Sequence, residues 1–149
     1  MRIRGHPVHP ALVHFPIAFW TVAALAHVVA AAGLDERAMG LARLANGAGL
    51  AMALPAMAAG LMELRSIGEG SAAMRVATWH LTVMATVWLC FLVALLLSGA
   101  SSAVIGSPTA QLTAAASAVI GFLLMAVGGW LGGRLVYEFG VGVKGAPKS

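Results

Sequence analysis

Five histidines stand out in a chain nearly free of other ionisable side chains, and three of them, His6, His9 and His14, crowd into the stretch "GHPVHPALVHFPIAFW", Gly5 to Trp20. Imidazole changes charge near neutral pH and is the commonest protein ligand to metals. Two chemistries use such a set. Haem iron takes an imidazole on each of its faces, and His14 with His80, from "TWHLTV", is the candidate pair. A first-row metal ion takes imidazole and carboxylate together, and for that His6, His9, His14, His80 and Glu63 are the candidates. Hydrolysis and nucleic-acid binding are not indicated, because no Ser/His/Asp or phosphate-cradling arrangement lies in a stretch that water reaches. Cys90 is the sole cysteine, so an internal disulfide and a thiolate cluster are both excluded.

The elements that must position these residues are set by composition. The 149 residues are 60% hydrophobic and 9% charged, with a mean hydropathy of +0.92, whereas soluble domains carry about a quarter charged residues. This is the profile of an integral membrane protein, one domain over residues 1–149 with short terminal tails. Four apolar segments, Leu12 to Gly33, Leu41 to Met62, Val76 to Leu97 and Leu112 to Gly133, each reach the roughly 20 residues that a bilayer crossing takes. Backbone polar groups cannot be left bare in lipid, and the apolar runs are continuous, so the segments read as helices. The short connections make neighbours antiparallel, giving an all-α, up-down-up-down four-helix bundle. Local kinks are expected at Pro16 and Pro55, and no internal repeat stands out. The basic start and apolar run resemble a signal peptide, but the run is too long for one, so the first span is kept.

Charge then sets orientation. Arg2, Arg4, Arg65, Arg75, Arg134, Lys144 and Lys148 fall at the end shared by both termini and the middle loop, and only Arg37 and Arg43 at the other. The positive-inside rule puts both termini in the cytoplasm.

His14 in the first span and His80 in the third enter the membrane from the same side, at similar depth, and are expected to project into the bundle near each other. Pro7 and Pro10 are expected to hold His6 and His9 in extended backbone. Arg65 and Arg134, at the ends of the second and fourth spans, are placed to meet haem propionates, although Arg134 and Glu138, four apart, also read as a local helix-end pair. His27 lies about 20 Å from His14 and on nearly the opposite face. With no histidine, carboxylate or cysteine to pair with at its depth, it reads as an interfacial residue. Gly49, Ala53, Ala56 and Gly60, and the Gly128/Gly132 and Gly129/Gly133 pairs, have the spacing of close helix packing. The fourth span thereby also offers a face for self-association.

"GHPVHPALVHFPIAF", "AGLMEL", "WH" and "GGWLGGRLVYEFGVGV" together resemble a bacterial four-span membrane domain, the domain of unknown function 2231, over nearly the whole chain. The resemblance implies a small inner-membrane protein without established activity. Some relatives carry a Rieske iron–sulfur module on the same chain, which implies electron transfer; this chain has no such module. It also departs from the family, with Glu63 and Leu64 where an aspartate and a tryptophan are usual, and Met84 where an asparagine often stands.

Three functions follow. The first is a haem b electron-transfer component linking a membrane quinol to a redox protein partner. The second is a zinc, copper or iron protein using the histidines and Glu63, and the third a cofactor-free scaffold or partner subunit. All three work within the lipid bilayer.

Overall fold

The computed structural model describes residues 8–99 and 107–143, and the backbone of residues 2–3 and 6–7. β1 (Arg2–Ile3) and β2 (His6–Pro7) form a short antiparallel pairing. Helices α1 (Val8–Leu12), α2 (His14–Ala31), α3 (Ala38–Leu64), α4 (Ala72–Gly99) and α5 (Pro108–Tyr137) follow. The last four make the expected bundle, with α1 and α2 together forming one span, Val8–Ala31. All four spans are long and apolar enough to cross a membrane.

Each span begins earlier than its apolar run because the start signals lie in the polar flanks. Ser107 caps α5, its hydroxyl accepting from Ala110 N–H, and Pro108 opens the helix where no N–H is needed. Ser71 does the same for α4 by accepting from Met74 N–H at 3.1 Å. The first span starts at Val8, so His9 and Pro10 are helical and not extended. A proline in the first turn forgoes only an N–H that has no partner there. The break between α1 and α2 falls at Val13, one turn before Pro16, whose missing N–H leaves the Leu12 carbonyl without its helical donor. α3 runs through Pro55 without interruption. Gly33 ends α2 in the left-handed region (φ 67°), where Leu34 N–H can reach back to the Val29 carbonyl at 3.1 Å.

The buried residues are mostly alanines: Ala23, Ala42, Ala94, Ala114 and Ala118 are all fully enclosed. Large side chains such as Leu25, Leu44, Leu96, Leu112 and Leu123 point outward. A water-soluble bundle has the opposite arrangement. Small residues inside let backbones approach, and large apolar ones outside face acyl chains, as a membrane bundle requires. Trp20 and Phe91 are the exception, stacked across the centre with ring centroids 4.9 Å apart and planes 3° from parallel.

The bundle consists of two similar hairpins, α1–α3 and α4–α5. In the first, His9 lies against Gly60 and Trp20 against Gly49; in the second, His80 lies against Gly132 and Phe91 against Gly121. Contacts that descend one helix as they climb the other show both hairpins to be antiparallel. The matched positions are 71 residues apart in the first helix of each hairpin (His9 and His80, Trp20 and Phe91) and 72 in the second (Gly49 and Gly121, Gly60 and Gly132). Burial repeats at the same interval: Ala23 and Ala94, Ala42 and Ala114, Ala53 and Met125, Ala56 and Gly128, and Ala59 and Leu131 are all buried. α2 packs beside α3 and α5, and α4 beside α5 and α3. The hairpins therefore face each other about an approximate two-fold axis along the bundle, passing between Trp20 and Phe91. No repeat was legible in the sequence, because the matched residues are scattered positions and their interval changes from 71 to 72 between the two helices of each hairpin.

Candidate functional site: paired histidines and a buried polar layer

The two-fold arrangement gives His9 and His80 matching surroundings. His9 donates from Nδ1 to the Ala56 carbonyl at 2.7 Å, and His80 donates from Nδ1 to the Gly128 carbonyl at 2.9 Å. A carbonyl can only accept, so in both rings the proton sits on Nδ1, and in the neutral form Nε2 keeps a lone pair. One turn beyond each carbonyl is a glycine. A Cβ would lie 3.1 Å from His9 Cε1 at Gly60 and 3.3 Å from His80 Cε1 at Gly132, so each ring sits directly on helix backbone. Fixing a histidine through Nδ1 to a carbonyl sets both its tautomer and its orientation, which is how metal-ligating histidines are usually held.

His14 does not join them. Its side chain is exposed on the outer face of α2, so the expected inward pairing of His14 with His80 is corrected. Five residues along a helix turn about 140°; with His9 facing α3, His14 must point away. His80 is half-buried, as expected, and the residue that matches it in the first hairpin is His9. Glu63 is half-buried near the end of α3, and Arg65, just beyond, is exposed. Arg134 is engaged by its own helix: Nε and NH2 donate to the Glu138 carboxylate at 2.8 to 2.9 Å, and the guanidinium lies over Trp130 at 5.2 Å. Among the described residues no group of three histidine, cysteine, aspartate or glutamate side chains converges as a metal site would need, so His9, His14, His80 and Glu63 of the five-residue set are not brought together. The side chain of His6 lies outside the described residues.

The second site was not anticipated. His27 is fully buried, not interfacial, and its neighbour is Asn46, also fully buried. Asn46 Nδ2 donates to the Phe91 carbonyl at 3.0 Å and lies 3.5 Å from His27 Nε2. The opposite-face reading of His27 was right; since His14 faces outward, His27 faces in. Asn46 itself was the available signal, a primary amide in the middle of an apolar span, where polar side chains mark inter-helix hydrogen bonding. Of the glycines, Gly128 packs against Met84 and Gly132 against His80 within the chain, whereas Gly129 meets nothing within 4 Å.

A polytopic membrane bundle of four helices, built from two hairpins around a central aromatic stack, is thus the class of protein defined. The chain belongs to the family described as predicted membrane protein (DUF2231), whose profile matches residues 5–145. No curated protein and no solved structure matches it.

Proposed function

We propose that the chain is a haem b carrier of the membrane, with His9 and His80, not His14, as axial ligands. The observation that carries this reading is the twin tethering of the two rings, each fixed through Nδ1 to a carbonyl of the facing helix and each keeping Nε2 as a donor. Haem needs only two protein ligands because it brings its own equatorial nitrogens. A bare ion of the zinc class is usually held by three or four protein side chains, and the described residues hold no such group. That comparison favours haem over the metal-ion alternative. Of the two arginines expected to meet propionates, Arg134 is taken by Glu138, which leaves Arg65, exposed just beyond the α3 end that carries Gly60.

Bound haem would supply one-electron transfer. The chain's own part is to hold the two half-buried imidazoles in fixed orientation within an apolar bundle. Its electron partners are a lipid-soluble quinol and a redox protein at the membrane face. The charge asymmetry supports an inner-membrane setting with the paired histidines on the cytoplasmic side, which reporter fusions to the termini and to the Asp35 turn would check.

The test is the absorption spectrum of detergent-purified protein made with ample haem supply, oxidised and then reduced. A Soret band is expected that His9→Ala and His80→Ala each remove and that His14→Ala leaves in place. A colourless wild-type protein, or a band lost with His14→Ala and kept with His9→Ala, overturns the reading. Metal analysis of a colourless protein then separates the metal-ion alternative from a cofactor-free scaffold.

A further inference from the structure

We propose that His27 and Asn46 form a buried binding site for a hydroxyl group. The amide of Asn46 can be oriented only one way. Nδ2 must face the Phe91 carbonyl, because Oδ1 there would set two acceptors against each other. Nδ2 lies 3.5 Å from His27 Nε2, and because an amide N–H can only donate, that nitrogen accepts and the proton of the neutral ring resides on Nδ1. What remains is a donor, His27 Nδ1–H, and an acceptor, Asn46 Oδ1. Both are buried without a hydrogen-bond partner among the described residues, on side chains that are fully enclosed. Leaving such groups unpaired in an apolar interior is costly. A hydroxyl takes a hydrogen bond from an imidazole N–H and gives one to an amide oxygen through a single oxygen atom. A metal cation or a ketone serves only one of the two groups.

The other hairpin is an internal control. The position matching His27 is Ser98, which is buried but bonds the Leu95 carbonyl of its own helix at 3.0 Å. The position matching Asn46 is Ala118, also buried. The second hairpin therefore closes this layer with residues that need no guest, and the first keeps two that do. The same packing thus tolerates an apolar or self-satisfied solution here, so the fold does not demand the His27–Asn46 pair.

The hydroxyl has two sources, an internal water and a lipid-soluble alcohol such as a hydroquinone. Nitrogen-15 NMR of the histidine-labelled protein in detergent distinguishes them. The proposal expects His27 to carry its proton on Nδ1. If the guest is water, that proton shows cross-relaxation with water while remaining slow to exchange. If the guest is a lipid alcohol, the water signal is absent and added durohydroquinone shifts the His27 resonance, with no such shift in Asn46→Leu. A proton on Nε2, or an Nδ1 proton that shows neither a water cross-peak nor a response to durohydroquinone, overturns the proposal.

Discussion

The two hairpins solve one packing problem with different residues, and their differences separate what the fold needs from what the molecule uses. Both seat an aromatic ring on a glycine at mid-depth and an imidazole on a glycine near one end. The aromatic pair closes the core on the two-fold axis; the imidazole pair repeats a costly polar arrangement in both halves. At the far layer the halves diverge. The first hairpin has His27 and Asn46, whereas the second has Ser98 and Ala118. Features held in common at buried apolar positions are explained by packing, and polar features, whether shared or private, need a further reason.

The largest test of this comparison is at the aromatic seats. An added Cβ at Gly49 would fall 2.6 Å from Trp20 Cδ1 and 2.7 Å from its Nε1, and the indole cannot retreat because Phe91 is stacked on its face. At Gly121 the nearest atoms are at 3.0 Å, on Cys90 and Phe91. Gly49→Ala should therefore destabilise the bundle by about 2–3 kcal/mol and Gly121→Ala by about 1–2 kcal/mol. Gly47→Ala, with nothing within 4 Å, should be neutral or stabilise by up to about 1 kcal/mol through helix propensity. Thermal unfolding in detergent ranks the three, and equal effects at Gly49 and Gly47 would break the claim that the ring seat is rigid.

The next effect concerns polar bonding between helices. Asn46 joins α3 to α4 through the Phe91 carbonyl, and one residue earlier on α4 the Cys90 carbonyl accepts from Ser117 of α5 at 2.9 Å. Hydrogen bonds of this kind in membrane bundles contribute about 0.6 kcal/mol on average and rarely more than about 1.7 kcal/mol. Ser117→Ala should lie near the average. Asn46→Ala should approach the upper figure, because it also removes the neighbour of the enclosed His27. The same unfolding measurement applies, and a smaller loss for Asn46→Ala than for Ser117→Ala would remove the distinction between the two hairpins at this layer.

The contrast between the halves also shows how far the sequence could be read. The four spans and the antiparallel order were legible because hydropathy and loop length are local properties, and lipid leaves helices as the only choice for such runs. Rotation about each helix axis was not. The sequence favours His14, which stands at the mouth of the apolar run, over His9, and only the packing of α1 on Ala56 and Gly60 decides that His9 turns inward. The same undecided rotation turned His27 into an interfacial residue on paper. The likeness of the hairpins stayed hidden because its identities, such as His9 with His80 and Gly60 with Gly132, are isolated positions set among matches of burial alone, such as Ala59 with Leu131. Arg134 and Glu138 were the reverse case: their spacing of four fixes their relation whatever the bundle does.

That ion pair is the smallest difference between the hairpins and has no counterpart in the first, where the positions matching Arg134 and Glu138 are Met62 and Ser66. Glu138 lies just past the end of α5, and its hydrogen bonds from the Arg134 guanidinium hold its carboxyl below the usual carboxylate range. A carboxyl whose folded-state pKa is depressed adds stability above the ordinary value of about 4.3, and that contribution disappears as pH falls through the lowered folded-state value. The pair is exposed enough, with side chains 32% and 50% accessible, for water and salt to screen it, so the effect is small and should shrink further at high ionic strength. The unfolding temperature of the wild type should exceed that of Glu138→Gln by a small margin at about pH 6, with the two converging as pH falls through the lowered folded-state value. A margin that persists undiminished in acid would mean that Glu138 acts by packing and not by charge, and that this end of α5 owes nothing to the ion pair.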